Sequence, residues 1–172
     1  MRILIIGGAG SIGRFLDEAL TKNGFKVDIL TRNFLYKYND RAISTDYASA
    51  FKSQKKDLNL NNYEVLIYLA WGTKPSTAYE SPKKDLTDSL LCGVEILDKI
   101  SLLKSKPTFI FISSGGAVYG EINRPCIEDD QLNPINPYGI AKACFEKYLQ
   151  FYSLCHKVPI IILWRFIPIT AK

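Results

Sequence analysis

The 172-residue chain has one histidine, His156, and four cysteines with no C-x-x-C spacing, so it carries no zinc constellation. Cys92, Cys126, Cys144 and Cys155 read as free thiols, which points to a reducing, cytoplasmic setting. No long apolar run exists. The longest, Ile3–Ile6 and Pro159–Trp164, are strand-sized, which excludes a membrane span. Met1-Arg2-Ile3 leads at once into such a run and then into a glycine turn, so no signal peptide is expected. No one-sign charge block is present either. The net charge of +5 is scattered, and its densest cluster, Lys52, Lys55 and Lys56, is followed by Asp57. That pattern is a solvated helix face and not a nucleic-acid stripe. Repeats and low-complexity segments are absent. With 47% hydrophobic and 23% charged residues, the chain has the composition of one globular domain over 1–172.

What is present alternates. Apolar strand candidates are Arg2–Ile6, Lys26–Leu30, Ala42–Thr45, Glu64–Leu69, Thr108–Ser113 and Pro159–Arg165. Helix candidates lie between them at Ser11–Asn23, Tyr47–Gln54, Lys83–Lys104 and Pro137–His156. Strands such as Val65-Leu66-Ile67-Tyr68-Leu69 are apolar almost throughout, as strands covered on both faces by crossover helices are. The fold class expected is α/β, a doubly wound parallel sheet.

The first strand runs into Gly7-Gly8-Ala9-Gly10-Ser11-Ile12-Gly13, with Gly7, Gly10 and Gly13 spaced G-x-x-G-x-x-G between strand and helix. Such glycines serve a tight turn, a close approach of a pyrophosphate to the backbone, and close helix–strand packing. The N–H groups at Ser11, Ile12 and Gly13 and the positive helix end then face phosphates. This context points to a dinucleotide, NAD or NADP. No acid closes the second strand, where Leu30-Thr31-Arg32-Asn33 stands. Arg32 is placed to fork onto a 2′-phosphate, which tilts the reading towards NADP, or else is a solvated loop residue. Asp46, beside Tyr47, is either an acceptor for an adenine amino group or the cap of the helix that follows.

Tyr138 and Lys142 are four apart in Tyr138-Gly139-Ile140-Ala141-Lys142, so they share a helix face. An ammonium beside a phenol lowers its pKa and lets it take a proton from a hydroxyl. The strand before ends in Ser113-Ser114-Gly115-Gly116, where a hydroxyl can orient a substrate.

Together these segments resemble the extended short-chain dehydrogenase/reductase superfamily, and within it the NAD-dependent epimerase/dehydratases of nucleotide sugars. The glycine turn, Tyr68-Leu69-Ala70, Phe111-Ile112-Ser113-Ser114-Gly115-Gly116-Ala117-Val118-Tyr119-Gly120, the acidic-proline lid Pro125–Asp130 with Pro134, and Asn136–Lys142 occur in the family's order over nearly the whole chain. The resemblance implies a Rossmann-like fold, Leu69 and Ala70 at the cofactor, and a UDP- or other NDP-hexose as substrate. It implies Tyr138 as base on a sugar hydroxyl while hydride passes to the nicotinamide. Lys142 tunes Tyr138 and holds ribose, and Ser114 bonds to the sugar oxygen. A homodimer is the expected assembly, with neither nucleic acid nor membrane as partner.

Three departures stand out. The position four before Tyr119, where the family carries its catalytic Ser or Thr, is Gly115; Ser114 serves only if the turn tilts it inward. Leu90 stands where an Asn often precedes Gly93 by three. After Arg165 the chain reads Phe166-Ile167-Pro168-Ile169-Thr170-Ala171-Lys172 and stops short of the family's substrate half, leaving the sixth strand as an apolar sheet edge. The family-like string Asn-Pro-Tyr-Asn-Gly-Lys, read one nucleotide later, gives Ile-Pro-Ile-Thr-Ala-Lys, so a shifted frame near Phe166 accounts for both the departure and the stop. The competing functions are an NAD(P)-binding module without turnover and an NADP-dependent reductase of a small carbonyl. Of the remaining residues, Trp71, Trp164, Cys144 and Phe145 read as packing, His156 as a helix-end charge, and Tyr119 as either a nicotinamide wall or packing.

Overall fold

The computed structural model describes residues 1–31, 58–73 and 75–165, and the backbone of 42–44. Six parallel strands form one sheet in the order β3-β2-β1-β4-β5-β6: β1 Arg2–Ile6, β2 Lys26–Thr31, β3 Ala42–Ser44, β4 Val65–Tyr68, β5 Thr108–Ser114 and β6 Ile160–Arg165. That order is the doubly wound one, with its reversal between β1 and β4. Three longer helices, α1 Ser11–Lys22, α2 Leu91–Ser101 and α3 Pro137–His156, pack on it.

The period of two along β1 splits its side chains between two cores. Ile3 and Ile5 join Val27, Ile29 and Ile67 in one core, against which Leu16 and Leu20 of α1 pack. Leu4 and Ile6 join Tyr68, Phe109, Phe111, Ile96 and Phe145 in the other, under α2 and α3. The expectation of strands buried on both faces holds for β1 and fails for β5. Phe109, Phe111 and Ser113 are buried, but Ile110 and Ile112 are only half-buried. Their in-register neighbours on β6, Ile161 and Leu163, are 45% and 49% exposed, so the edge strand is apolar and uncovered as expected.

The helix expected over 83–104 is three pieces: a turn Pro82–Lys84, a π segment Asp85–Leu90, and α2. The extra residue of the π segment turns two polar side chains inward. Asp85 and Ser89 are both fully buried there. Ser89 repays the turn locally: its Oγ accepts from Gly72 N at 3.2 Å and its carbonyl from the Tyr68 hydroxyl at 2.7 Å.

The glycine turn is where sequence and packing are tightest. Gly7 has φ +83°, and a Cβ there would meet the backbone of Ala70 at 2.7 Å. At Gly13 a Cβ would lie 2.3 Å from the carbonyl oxygen of Gly8. Gly13→Ala is therefore expected to cost about 2 kcal/mol or more, because backbone must move apart to admit the methyl. Urea unfolding of the purified variant against wild type checks this; equal midpoints would show that α1 does not need its close approach.

Candidate functional site

The strand ends, the glycine turn and the start of α3 enclose a cavity of about 220 Å³. Its walls hold Gly7, Gly10, Ser11, Ile12 and Gly13 at one part and Ser114, Tyr138 and Lys142 at another, with Leu69 and Trp71 between. Nine of the residues singled out from sequence thus meet in one hollow, although they come from four separate segments. Ala70 is not among the lining; it backs the turn behind Gly7. Arg32, Asp46 and Tyr47, with the helix expected over 47–54 and the tail 166–172, lie outside the described residues.

Gly10 differs from its neighbours. It caps α1 in an extended conformation, and a Cβ there would find nothing nearer than 3.8 Å. The protein's own packing leaves that space open on the cavity side. The first N–H groups of α1 have no acceptor within the helix, and no acidic side chain in its first turn offsets its positive end. Trp71 adds a buried indole N–H without an acceptor among the described residues. Bare backbone, unmatched donors and a helix N-terminus fit a dinucleotide diphosphate.

α3 begins where it must to place Tyr138. Asn136 caps it by accepting from Gly139 N at 2.8 Å, and Pro137 occupies the first turn. Tyr138 and Lys142 then share the cavity face. The chemistry expected of the pair needs correction, however. Burial pushes the Tyr138 phenol up to about 12, with the charge of Asp85 acting in the same direction. Arg165 and a hydrogen bond with Ser114 pull it down; Lys142 is not the group that does so. The Lys142 ammonium instead donates to the Ile112 carbonyl at 2.8 Å. It lies 4.4 Å from the ring centre of Trp71, 4.6 Å from Phe111 and 5.4 Å from Tyr138. Its burial lowers it to about 7, against the raising influence of Glu146 and Asp85.

Linkage gives a checkable consequence. Between about 7 and 10 the unfolded Lys142 binds a proton that the folded one has released, so this group makes stability rise with pH across that window and not below it. Wild type should gain up to about 1 kcal/mol per pH unit relative to Lys142→Met from pH 7 to pH 10. Parallel unfolding curves for the two proteins across that range would contradict the burial of a charged Lys142.

β5 ends at Ser114, a short helix Gly115–Val118 starts, and Ser114 lines the same cavity as Tyr138. Ser113, which also lines the cavity, donates its hydroxyl to Glu146 Oε1 at 2.5 Å, where Trp164 Nε1 also donates at 3.2 Å. Tyr119 is packing: it is buried against Trp164 and does not line the cavity. Trp71 does both, packing on Phe111 and Phe145 while lining the cavity. Cys144 is exposed rather than core, whereas Phe145 is fully buried. The acidic-proline segment is no lid on this cavity. Glu128 and Asp130 line a separate hollow with Glu146 and Trp164, and Arg124 clamps Asp130 through both carboxylate oxygens. Sequence reasoning passed over Asp85 and gave Arg165 no role at the site, because a lone Asp in a helical stretch and a strand-end Arg carry no spacing signal.

A model of the NAD dependent epimerase/dehydratase family matches residues 3–168. The chain belongs to that family. A putative UDP-glucose 4-epimerase of Methanocaldococcus jannaschii is 32% identical over 165 residues, covering 94% of this chain and 54% of the relative. The UDP-glucose 4-epimerase of Thermus thermophilus, solved with NAD, superposes with a TM-score of 0.82 at 26% identity, over 95% of this chain and 54% of that one. The enzyme of Thermotoga maritima, solved with UDP-glucose, gives 0.81 at 28% identity, over 95% and 55%. The family member described here thus spans about half the length of these relatives. Among the described residues no helix is long and apolar enough to cross a membrane, and no group of metal-ligating side chains occurs.

Proposed function

We propose that residues 1–172 form the dinucleotide-binding half of a cytoplasmic nucleotide-sugar epimerase or dehydratase that uses NAD or NADP to oxidise its sugar transiently. The observation that carries this reading is the single cavity joining the bare glycine turn to Tyr138, Ser114 and Lys142. In it the backbone of Gly7, Gly10 and Gly13 and the amides of Ser11 and Ile12 hold the diphosphate, with Leu69 and Ala70 lining or backing the same side. Lys142 and Tyr138 hold the ribose end, and Arg32, Asp46 and Tyr47 are assigned to the adenosine end. Bound NAD supplies the hydride acceptor and, in its oxidised form, a positive charge.

The chain's own residues do the proton chemistry. Oxidation of the sugar carbon to a ketone releases a hydride and a proton, so Tyr138 would act as the phenolate that takes the hydroxyl proton and gives it back when the hydride returns, with Ser114 steadying both oxygens. Arg165 favours that phenolate against the burial that pushes the phenol up to about 12. A UDP-hexose is the substrate that the solved relatives favour. A second copy of the chain suits the exposed stripe Ile140, Cys144, Tyr148 and Phe151 along α3.

Mixing the NAD-loaded chain with UDP-glucose tests turnover. Absorbance growing at the wavelength of reduced nicotinamide, or interconversion of the hexose at its C4, supports the enzyme. Tight NAD binding with neither signal assigns the chain to binding without turnover.

A further inference from the structure

Glu146 is buried in α3, yet no step above uses it. Burying such a group is costly unless its oxygens find donors. Its Oε1 finds two. The Ser113 hydroxyl donates to it at 2.5 Å and the Trp164 indole N–H at 3.2 Å. A carboxylate oxygen, or the carbonyl oxygen of a neutral carboxyl, accepts both bonds, so the arrangement stands in either protonation state. The two donors come from different strands. Ser113 of β5 and Trp164 of β6 are partners in register, and so are the next two residues, Ser114 and Arg165. Ser113, Ser114 and Arg165 line the cavity together with Tyr138 and Lys142.

The end of β6 needs an anchor. Among the described residues β6 is the edge of the sheet, so Arg165 has a neighbouring strand on one side only. One face of β6 is open, with Ile161 and Leu163 exposed, while Ile160 and Ile162 pack against the core under α3. Trp164 continues that inner row by the period of two, and its indole reaches Glu146. Glu146 in turn lies one helical turn beyond Lys142 and two beyond Tyr138. The helix that presents the phenol thus also grips, further along, the ends of the two strands whose next residues line the cavity with it.

We propose that Glu146 is a positioning residue, a clasp that fixes the ends of β5 and β6 to α3 and so sets Ser114 and Arg165 in the cavity against Tyr138. Its purpose rests on the proton chemistry proposed above, because Ser114 and Arg165 serve there by their placement around the phenol. The clasp itself does not rest on it. Gly115 follows Ser114 and brings no hydroxyl of its own, so the placement of Ser114 matters the more. The acceptor oxygen, and not the charge, does the holding. Glu146→Gln keeps a carbonyl oxygen for the two donors, whereas Glu146→Leu keeps much of the bulk and offers none. A misplacement of about 1 Å is enough to slow a positioned reaction by about a hundredfold.

The experiment is NMR of the whole chain labelled at the tryptophan indole nitrogen and at tyrosine Cζ, with Trp164→Phe and Tyr138→Phe used to assign the two signals. Glu146→Leu should move the Trp164 indole signal, which reads the clasp, and also the Tyr138 signal, two helical turns away. Glu146→Gln should bring the Tyr138 signal most of the way back. Tyr152→Phe breaks another buried bond of α3, the one to Asp98 of α2 at 2.5 Å, and should leave both signals in place. An unmoved Tyr138 or indole signal in folded Glu146→Leu overturns the proposal, as does an equal displacement of Tyr138 in Tyr152→Phe. Should Glu146→Leu fail to fold, Trp164→Phe decides, since it removes one donor: a moved Tyr138 signal supports the clasp and an unmoved one overturns it. With the NAD-loaded chain and UDP-glucose, Glu146→Leu should lower kcat about tenfold or more while KM and NAD affinity stay within about twofold, and Glu146→Gln should recover most of the rate. The two ideas fail separately. Displaced signals in a chain without NAD binding or turnover sink the proton chemistry alone, and unaltered turnover in Glu146→Leu sinks the role of Glu146 alone.

Discussion

Gly10→Asp should abolish dinucleotide binding while leaving the chain folded. Among the described residues a Cβ at Gly10 meets no atom closer than 3.8 Å, so their packing admits it. The position nevertheless lines the cavity at the N-terminus of α1, where a diphosphate would lie against peptide N–H groups. Aspartate puts a second anion there and offers its oxygens to the same donors. One like-charge contact of that kind is worth about 3 kcal/mol, or a hundredfold and more in affinity. Calorimetric titration with NAD reads the loss, and circular dichroism with urea unfolding reads the fold. The contrast with Gly13→Ala is the informative part: one glycine is bare for a ligand and the other for the protein itself. A Gly10→Asp chain that is unfolded, or one that binds NAD undiminished, would contradict this division.

Tyr138→Phe should have the opposite profile. The ring stays, and with it the edge-on contact with Trp71 at 6.5 Å between centroids. Only the hydroxyl is lost. NAD affinity should remain within about twofold, whereas oxidation of a bound UDP-hexose should fall by 10²–10⁴, roughly the range for loss of one positioned acid–base group. Because burial pushes the phenol up to about 12 and only its phenolate can take the hydroxyl proton, oxidation by wild type should slow as pH drops from 8 to 6, and this dependence should vanish from the residual rate of Tyr138→Phe. A variant that turns over as wild type does removes the phenol from the mechanism.

The parts of this architecture written in local sequence were legible. The alternation of apolar strands and helices gave the parallel sheet. The glycine spacing and the four-residue spacing of Tyr138 and Lys142 marked the two ends of the cavity. What escaped depended on packing across the sheet. Nothing in Tyr138-Gly139-Ile140-Ala141-Lys142 says that the ammonium will bend towards the Ile112 carbonyl and an indole face. Four-residue spacing puts two side chains on one face but does not decide whether burial or mutual attraction governs their protons. The π segment escaped for a similar reason: its helical pattern continues through 85–90, and only the inward pull of Thr73 on Asp85 and of Gly72 and Tyr68 on Ser89 breaks it. Ser114 was judged by regular strand geometry, whereas the strand ends on that residue.

The most direct measurement is calorimetric titration of the purified, folded chain with NAD and with NADP. Saturable one-to-one binding of either, competed by ADP and lost in Gly10→Asp, is the predicted result. A chain that unfolds cooperatively yet gives no binding heat with either nucleotide at millimolar concentration would contradict the claim that the bare turn after β1 receives a diphosphate.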